Sequence, residues 1–142
     1  MTIKTYLGFD VGTKRTGIAI ANSLTVHASG IETIVHHKDG STNWPQLEKL
    51  INTHQADIFV VGLPLDEKGK EQEMTFIARS FGRKLEQRFS KEVVFIDEYL
   101  SSSEAKNQLK WHYAHKNADR ADVDKRSAEL ILQTWLNETR HD

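Results

Sequence analysis

Apolar positions along this chain alternate in some stretches and recur at helical spacing in others. From Tyr6 to Asp10, Leu7 and Phe9 fall on one side and Gly8 and Asp10 on the other, which predicts a strand. Thr16 to Asn22 predicts its partner, with Ile18 and Ile20 on one face and only Gly17, Ala19 and Ala21 on the other. Pairing around Gly12 gives a hairpin whose small side chains would leave open space beside Asp10. Ala28 to His36 continues the meander as a third strand.

The period then changes. Asn43 to Gln55 is helical through Trp44, Leu47, Leu50 and Ile51, and Pro45 suits the first turn, where a missing N–H costs little. Asp57 to Gly62 is almost continuously apolar, as in a buried parallel strand, and Leu63-Pro64-Leu65 is expected to end it. A helix over Lys70 to Phe89 carries a stripe of Met74, Ile77, Ala78, Phe81 and Leu85. Glu92 to Glu98 is another buried strand, ending in two acids. Ser101 and Glu104 have capping-box spacing for a helix reaching Trp111, and the polar, basic stretch Tyr113 to Ala121 predicts a loop. The last helix, Asp122 to Glu138, packs through Ala128, Ile131, Leu132 and Trp135. Together these elements predict an α/β fold. Its mixed five-stranded sheet combines an antiparallel meander of three strands with two parallel strands, flanked by helices, in one domain over residues 1–142.

Composition narrows the function classes. A hydrophobic share of 38% and a charged share of 27% suit a globular domain. The net charge of -1 means that any nucleic-acid surface must come from local clustering of cations. The absence of cysteine removes disulfides, thiolate catalysis and Cys-ligated zinc. The first strand starts too early for a signal peptide, and no apolar run approaches the roughly 18 residues of a membrane span, so a cytoplasmic protein is expected.

Three carboxylates stand at element ends. Asp10 closes the first strand and Glu98 the last. Asp124 heads the stripe Asp124, Ala128, Ile131, Trp135 at the start of the final helix. An acid on a core-facing stripe is costly unless paired, hydrogen-bonded or bound to metal. Each has a bland alternative: a strand–turn junction for Asp10, a solvated strand end for Glu98, a dipole-favoured first-turn acid for Asp124. As a set they suit a hard cation such as Mg²⁺, which takes carboxylate, water and phosphate oxygens. Such ions can stabilise both the attacking and the leaving oxygen of a phosphodiester displacement. Lys14 and Arg15 in the hairpin turn could position a phosphate. A basic strip could also include Arg79, Arg83, Lys106, Lys110, Lys116, Arg120 and Arg126. The pairs His36-His37 and His112 with His115 read as loop and surface residues.

The stretches FDVGTKRTGIAIAN, VVGLPLDEKG, FIDEYLSSSEA and VDKRSAELILQTWL resemble, in order, the motifs of the YqgF/RuvX family, which has the RNase H-like nuclease fold. The family's acidic positions fall on Asp10, Glu98 and Asp124. The resemblance implies a Mg²⁺- or Mn²⁺-dependent nuclease acting on structured nucleic acid. Its substrate would be the 5′ end of pre-16S ribosomal RNA or, alternatively, a Holliday junction in DNA. Asp10 would bridge two ions, Glu98 and Asp124 would each complete one, and hydrolysis would leave a 5′-phosphate and a 3′-hydroxyl. An RNA processor could work as a monomer, whereas a symmetric junction favours a homodimer.

The chain departs from the family pattern after the Asp97-Glu98 pair. Tyr99-Leu100-Ser101-Ser102 stands where the family usually has arginine followed by Leu-Thr-Thr. Ser101 keeps a hydroxyl, while Tyr99 can stack on a base but cannot grip phosphate bidentately. Lys125-Arg126-Ser127 replaces small apolar residues and is expected to face solvent or phosphate. Two rival readings remain. The turn Asp10-Val11-Gly12-Thr13 also resembles the phosphate hairpin of the actin and sugar-kinase ATPases, which need two such domains. A non-cleaving nucleic-acid-binding module would fit the altered Tyr99 corner but has no need of clustered carboxylates.

Overall fold

The computed structural model describes residues 2–98 and 120–139. The element order is β1 (Thr5–Val11), β2 (Arg15–Asn22), β3 (Ser29–Val35), α1 (Trp44–His54), β4 (Ile58–Pro64), α2 (Glu73–Phe89), β5 (Glu92–Glu98) and α3 (Arg120–Thr139). The strands form one sheet in the order β3-β2-β1-β4-β5. β1 pairs antiparallel with β2 and β2 with β3, whereas β1–β4 and β4–β5 are parallel. This is the predicted mixed sheet. The helix expected from Ser101 to Trp111 and most of the loop after it, Tyr99 and Ser101 included, lie outside the described residues.

Strand alternation sorts the side chains into two cores. Leu7, Phe9, Ile18, Phe59 and Val61 face α1 and α2, where they meet Leu47, Leu50, Ala78, Phe81 and Leu85. Ala19, Ala21, Val60 and Ile96 face α3 and meet Ala128, Ile131, Leu132 and Leu136. The small residues on that second face do not leave open space, as the sequence suggests. They admit the backbone of α3, so a Cβ on Gly17 would lie 1.9 Å from the Asp124 carbonyl oxygen. Glycine at 17 is what lets helix and hairpin touch.

Local chemistry sets the boundaries. Asn43 caps α1, its side chain accepting from the Gln46 N–H, and Gln55 ends the helix in the left-handed conformation at φ 50°. β4 runs through Pro64, two residues beyond its expected end at Gly62. The Leu65 N–H donates to the Glu98 carbonyl, so the nitrogen of Pro64 faces the opposite way, past the last β1 pair. No ladder bond is lost there. α2 starts three residues later than expected. Asp66 accepts from the N–H groups of Lys68 and Lys70, and Thr75 Oγ1 accepts from the Gln72 N–H at the start of the helix. α3 starts two residues earlier than expected, which moves Asp124 into its second turn. The helix dipole acts within the first turn, so it no longer accounts for an acid at 124.

Candidate active site

The β1–β2 register places Asp10 opposite Gly17, on the face covered by α3. The β1–β4 ladder pairs Phe9 with Val61, so Gly62 continues it level with Asp10. One strand further, Glu98 closes β5 opposite Pro64, and the β-strand period puts it on the same face as Ile96. Its Oε2 lies 2.8 Å, and its Cδ 3.2 Å, from where a Cβ on Gly62 would stand. The Glu98 carboxylate therefore leans over the middle strand, through space that any side chain at 62 would fill. Gly62 is a site-shaping residue that pattern reasoning passed over. Its one signal was a glycine inside an apolar strand, which often marks a close approach.

Asp124 comes from the other layer. Main-chain contact with Gly17, the cross-strand neighbour of Asp10, delivers it to the same edge of the sheet. Its Oδ2 accepts a hydrogen bond from Arg15 Nε at 2.7 Å. The two side chains are 17% and 27% exposed, so this contact is partly shielded from solvent. Arg15, expected to hold phosphate, is thus engaged with one of the three acids. Lys14 is exposed at the hairpin tip, and its carbonyl accepts from the His36 N–H.

The structure brings Asp10, Glu98 and Asp124 to one face and one end of the sheet. Among the described residues, no three His, Cys, Asp or Glu side chains yet stand close enough together to hold a metal ion. The Arg15 contact gives a physical reason, because it turns one carboxylate towards a guanidinium. The donors still fit a hard divalent cation: they are all oxygens, and the missing side chain at 62 leaves room between two of them.

The other expected contacts separate. Arg126 is exposed and paired with Glu129 at 2.7 Å, and Lys125 Nζ lies 3.1 Å from Asp122. Ser127, expected to face solvent or phosphate, is instead buried against the sheet, with an enclosed hydroxyl that has no partner among the described residues. Arg79 is paired with Glu71, and the Arg83 guanidinium lies over the Phe95 ring. Both belong to α2, and the sheet separates them from Arg126 on α3, so they cannot form one strip with it. His36 lies in the loop after β3, as expected, and its Nε2 lies 2.7 Å from Thr16 Oγ1. Burial, and secondarily the charge of His37, push its pKa below the ordinary 6.5.

A family model described as RuvX: Holliday junction resolvase matches residues 4–138. A protein of Aeromonas salmonicida, provisionally named a pre-16S rRNA nuclease, is 44% identical over 138 residues, covering 97% of this chain and 98% of its own. A Coxiella burnetii protein with the same provisional name is 39% identical over 136 residues, covering 96% of this chain and 94% of its own. Among solved structures, the Fowlpox virus resolvase in complex with Holliday junction DNA superposes with a TM-score of 0.57 at 11% identity, covering 95% of this chain and 98% of its own. T. thermophilus RuvC in complex with a Holliday junction substrate gives 0.59 at 10% identity, covering 96% of each chain. At such identities the likeness is one of fold, and the fold is RNase H-like.

Proposed function

The chain belongs to the RuvX family of Holliday junction resolvases and is a nuclease; on that premise we propose that its substrate is pre-16S ribosomal RNA, hydrolysed near the 5′ end with the help of a divalent cation. Full-length similarity to proteins of that provisional name supports the substrate. The observation that carries the chemistry is the convergence of Asp10, Glu98 and Asp124 on one sheet edge, with Gly62 making room between the first two. These three side chains would hold Mg²⁺ or Mn²⁺, which supplies charge stabilisation to the attacking and leaving oxygens of the phosphodiester.

The chain's own residues do the positioning. Asp10 pairs with Gly17 of β2 just past the last β1–β4 pair, so its backbone is fixed within the centre of the sheet. Lys14 presents a mobile point charge at the hairpin tip, suited to drawing a phosphate towards that edge. Arg15 offers a planar fork beside Asp124, which can pass from carboxylate to phosphate oxygen. Tyr99, Ser101 and Arg126 are the further substrate contacts we propose. Tyr99 would stack on a base, and the other two would reach the backbone.

Among the described residues no helix is long and apolar enough to cross a membrane. An rRNA precursor as substrate would place the protein in the cytoplasm.

A four-way DNA junction is the second reading, favoured by the description of the family model. Incubating the protein with labelled pre-16S RNA and with a four-way junction, each in Mn²⁺ and in EDTA, separates the two. Cleavage of the RNA in Mn²⁺ alone is expected, with Asp10→Asn inactive. Equal cutting by Asp10→Asn would sink the carboxylate assignment. Binding of both substrates without cutting would make the protein a binding module.

A further inference from the structure

On the sheet face opposite the carboxylates there is a second concavity, a cleft of about 460 Å³. It opens beside Val11, Gly12 and Thr13, immediately after Asp10 in the chain, and is closed by Gly40 and Thr42 and by α2. Its volume lies within the roughly 300–1,000 Å³ of ordinary ligand sites. From α2 it takes Phe76, Ser80 and Lys84, spaced four residues apart and therefore stacked along one helix face. The order along this rail is an aromatic ring, a hydroxyl and an ammonium. Phe76 is 57% exposed, with the Arg79 guanidinium 5.8 Å from its ring centroid. Phe81, Ile77 and His36 also line the cleft, and among the described residues no carboxylate does.

We propose that this cleft binds an unpaired nucleotide of the substrate strand adjacent to the cleaved bond, its base stacked on Phe76 and its phosphate held by Lys84. The inference rests on the nuclease reading above and adds to it a second, base-accepting subsite. Three observations favour a nucleotide. Among the described residues the lining has a cation and no acid, which suits a phosphate. The exposed ring can stack on a base, a contact that tolerates any sequence because every base has a π-face. The Gly12–Thr13 backbone is the saddle between the two sites, so a strand lying over the hairpin tip reaches both. A base stacked on Phe76 has left its own helix, so the strand must be single at that point.

The test is binding of a fluorescein-labelled single-stranded RNA, followed by anisotropy in Mg²⁺. Every protein carries Asp10→Asn to prevent cutting. Phe76→Ala should weaken binding roughly fivefold or more, and Phe76→Trp should restore it. Lys84→Ala should weaken binding and lower the salt slope by about one. Replacing nucleotides one at a time by abasic ones should reveal a single position at which Phe76→Ala has no further effect. A fully paired RNA should bind the parent and Phe76→Ala alike. Phe76 and Lys84 are exposed, so unchanged thermal melting is expected of both variants. If both bind as the parent does while Lys14→Glu does not, the strand avoids the cleft and this inference fails, with the nuclease reading intact. If the parent binds neither this RNA nor a four-way junction, both fall together.

Discussion

Arg15 and Asp124 are 109 positions apart in the chain yet meet at 2.7 Å, and no periodicity could have announced the pair. The sequence showed an acid at the head of a core stripe and a cation in a turn. It could not show that the turn and the helix share an edge. If Asp124 is a metal ligand, Arg15 competes with the metal for it. Arg15→Gln is then expected to bind Mn²⁺ about three- to tenfold more tightly, by loss of a charge-assisted hydrogen bond discounted for exposure, while binding RNA more weakly. Calorimetric titration with Mn²⁺ measures the first effect. Unchanged or weaker Mn²⁺ binding would show that Arg15 does not guard the site.

His36 makes a separate prediction at the same scale. Its pKa in the folded chain is lowered, chiefly by burial, from the ordinary 6.5. Above that value the ring is neutral in both states and contributes no pH dependence. As pH falls through it, the unfolded chain takes up the proton first, so stability is lost until the lower, folded value is reached. Urea unfolding at about pH 7.5 and about pH 5.5 should therefore show a smaller acid loss in His36→Gln than in the wild type. Equal losses would mean that other groups carry the acid sensitivity.

At the scale of elements, strand and helix identity was legible because the apolar period differs between the two, and all eight described elements follow it. Ends were less legible. Pro64 looked like a terminator, but the direction of its nitrogen decides the matter, and that depends on which neighbour each strand edge meets. The start of α2 was hidden by Asp66, whose side chain takes the N–H groups that a helix would have used. The small face of β2 was read as space when it is a docking surface, because sequence shows a missing side chain but not what fills its place.

Two glycines test that last point from opposite directions. In Gly17→Ala the new Cβ meets backbone, the Asp124 carbonyl oxygen, which cannot swing aside. A stability loss at or above the roughly 1–3 kcal/mol of overpacking is expected, read from the urea midpoint. In Gly62→Ala the new Cβ meets the ends of two flexible side chains, Glu98 Oε2 and Ile131 Cδ1, each at 2.8 Å. That variant should fold with a loss under about 1.5 kcal/mol. Its cleavage rate should fall by roughly tenfold or more, as expected when a reacting group is displaced by about an ångström. Full activity in Gly62→Ala would separate Glu98 from the chemistry.

At the scale of the molecule, the sheet is the dividing wall. It puts Asp10, Glu98 and Asp124 on one side and the α2 rail on the other, with the β1–β2 turn beside both. This division was partly readable, since alternation in β1 already set Asp10 opposite Phe9. Which helix covers which face was not readable, because an apolar stripe fits either. Topology resolves it: α3 touches all five strands, whereas α2 packs on β1, β4 and β5.

The reach of α3 across the whole sheet also sets an order of events during folding. The helix has no complete surface to dock on until β3 and β5 have both joined the sheet, and contacts spanning so much chain form late. Asp124 is then expected to reach the end of the sheet that carries Asp10 and Glu98 late in folding. Trp135 reports the moment, since its ring meets Tyr6 edge-on at 5.0 Å once the helix is down. In refolding experiments its fluorescence change, isolated by comparison with Trp135→Phe, should coincide with the slowest phase and with the gain of Mn²⁺ binding. If Asp124 is a metal ligand, a half-folded copy would carry two of the three acids and would gain Mn²⁺ binding only when its last helix closes.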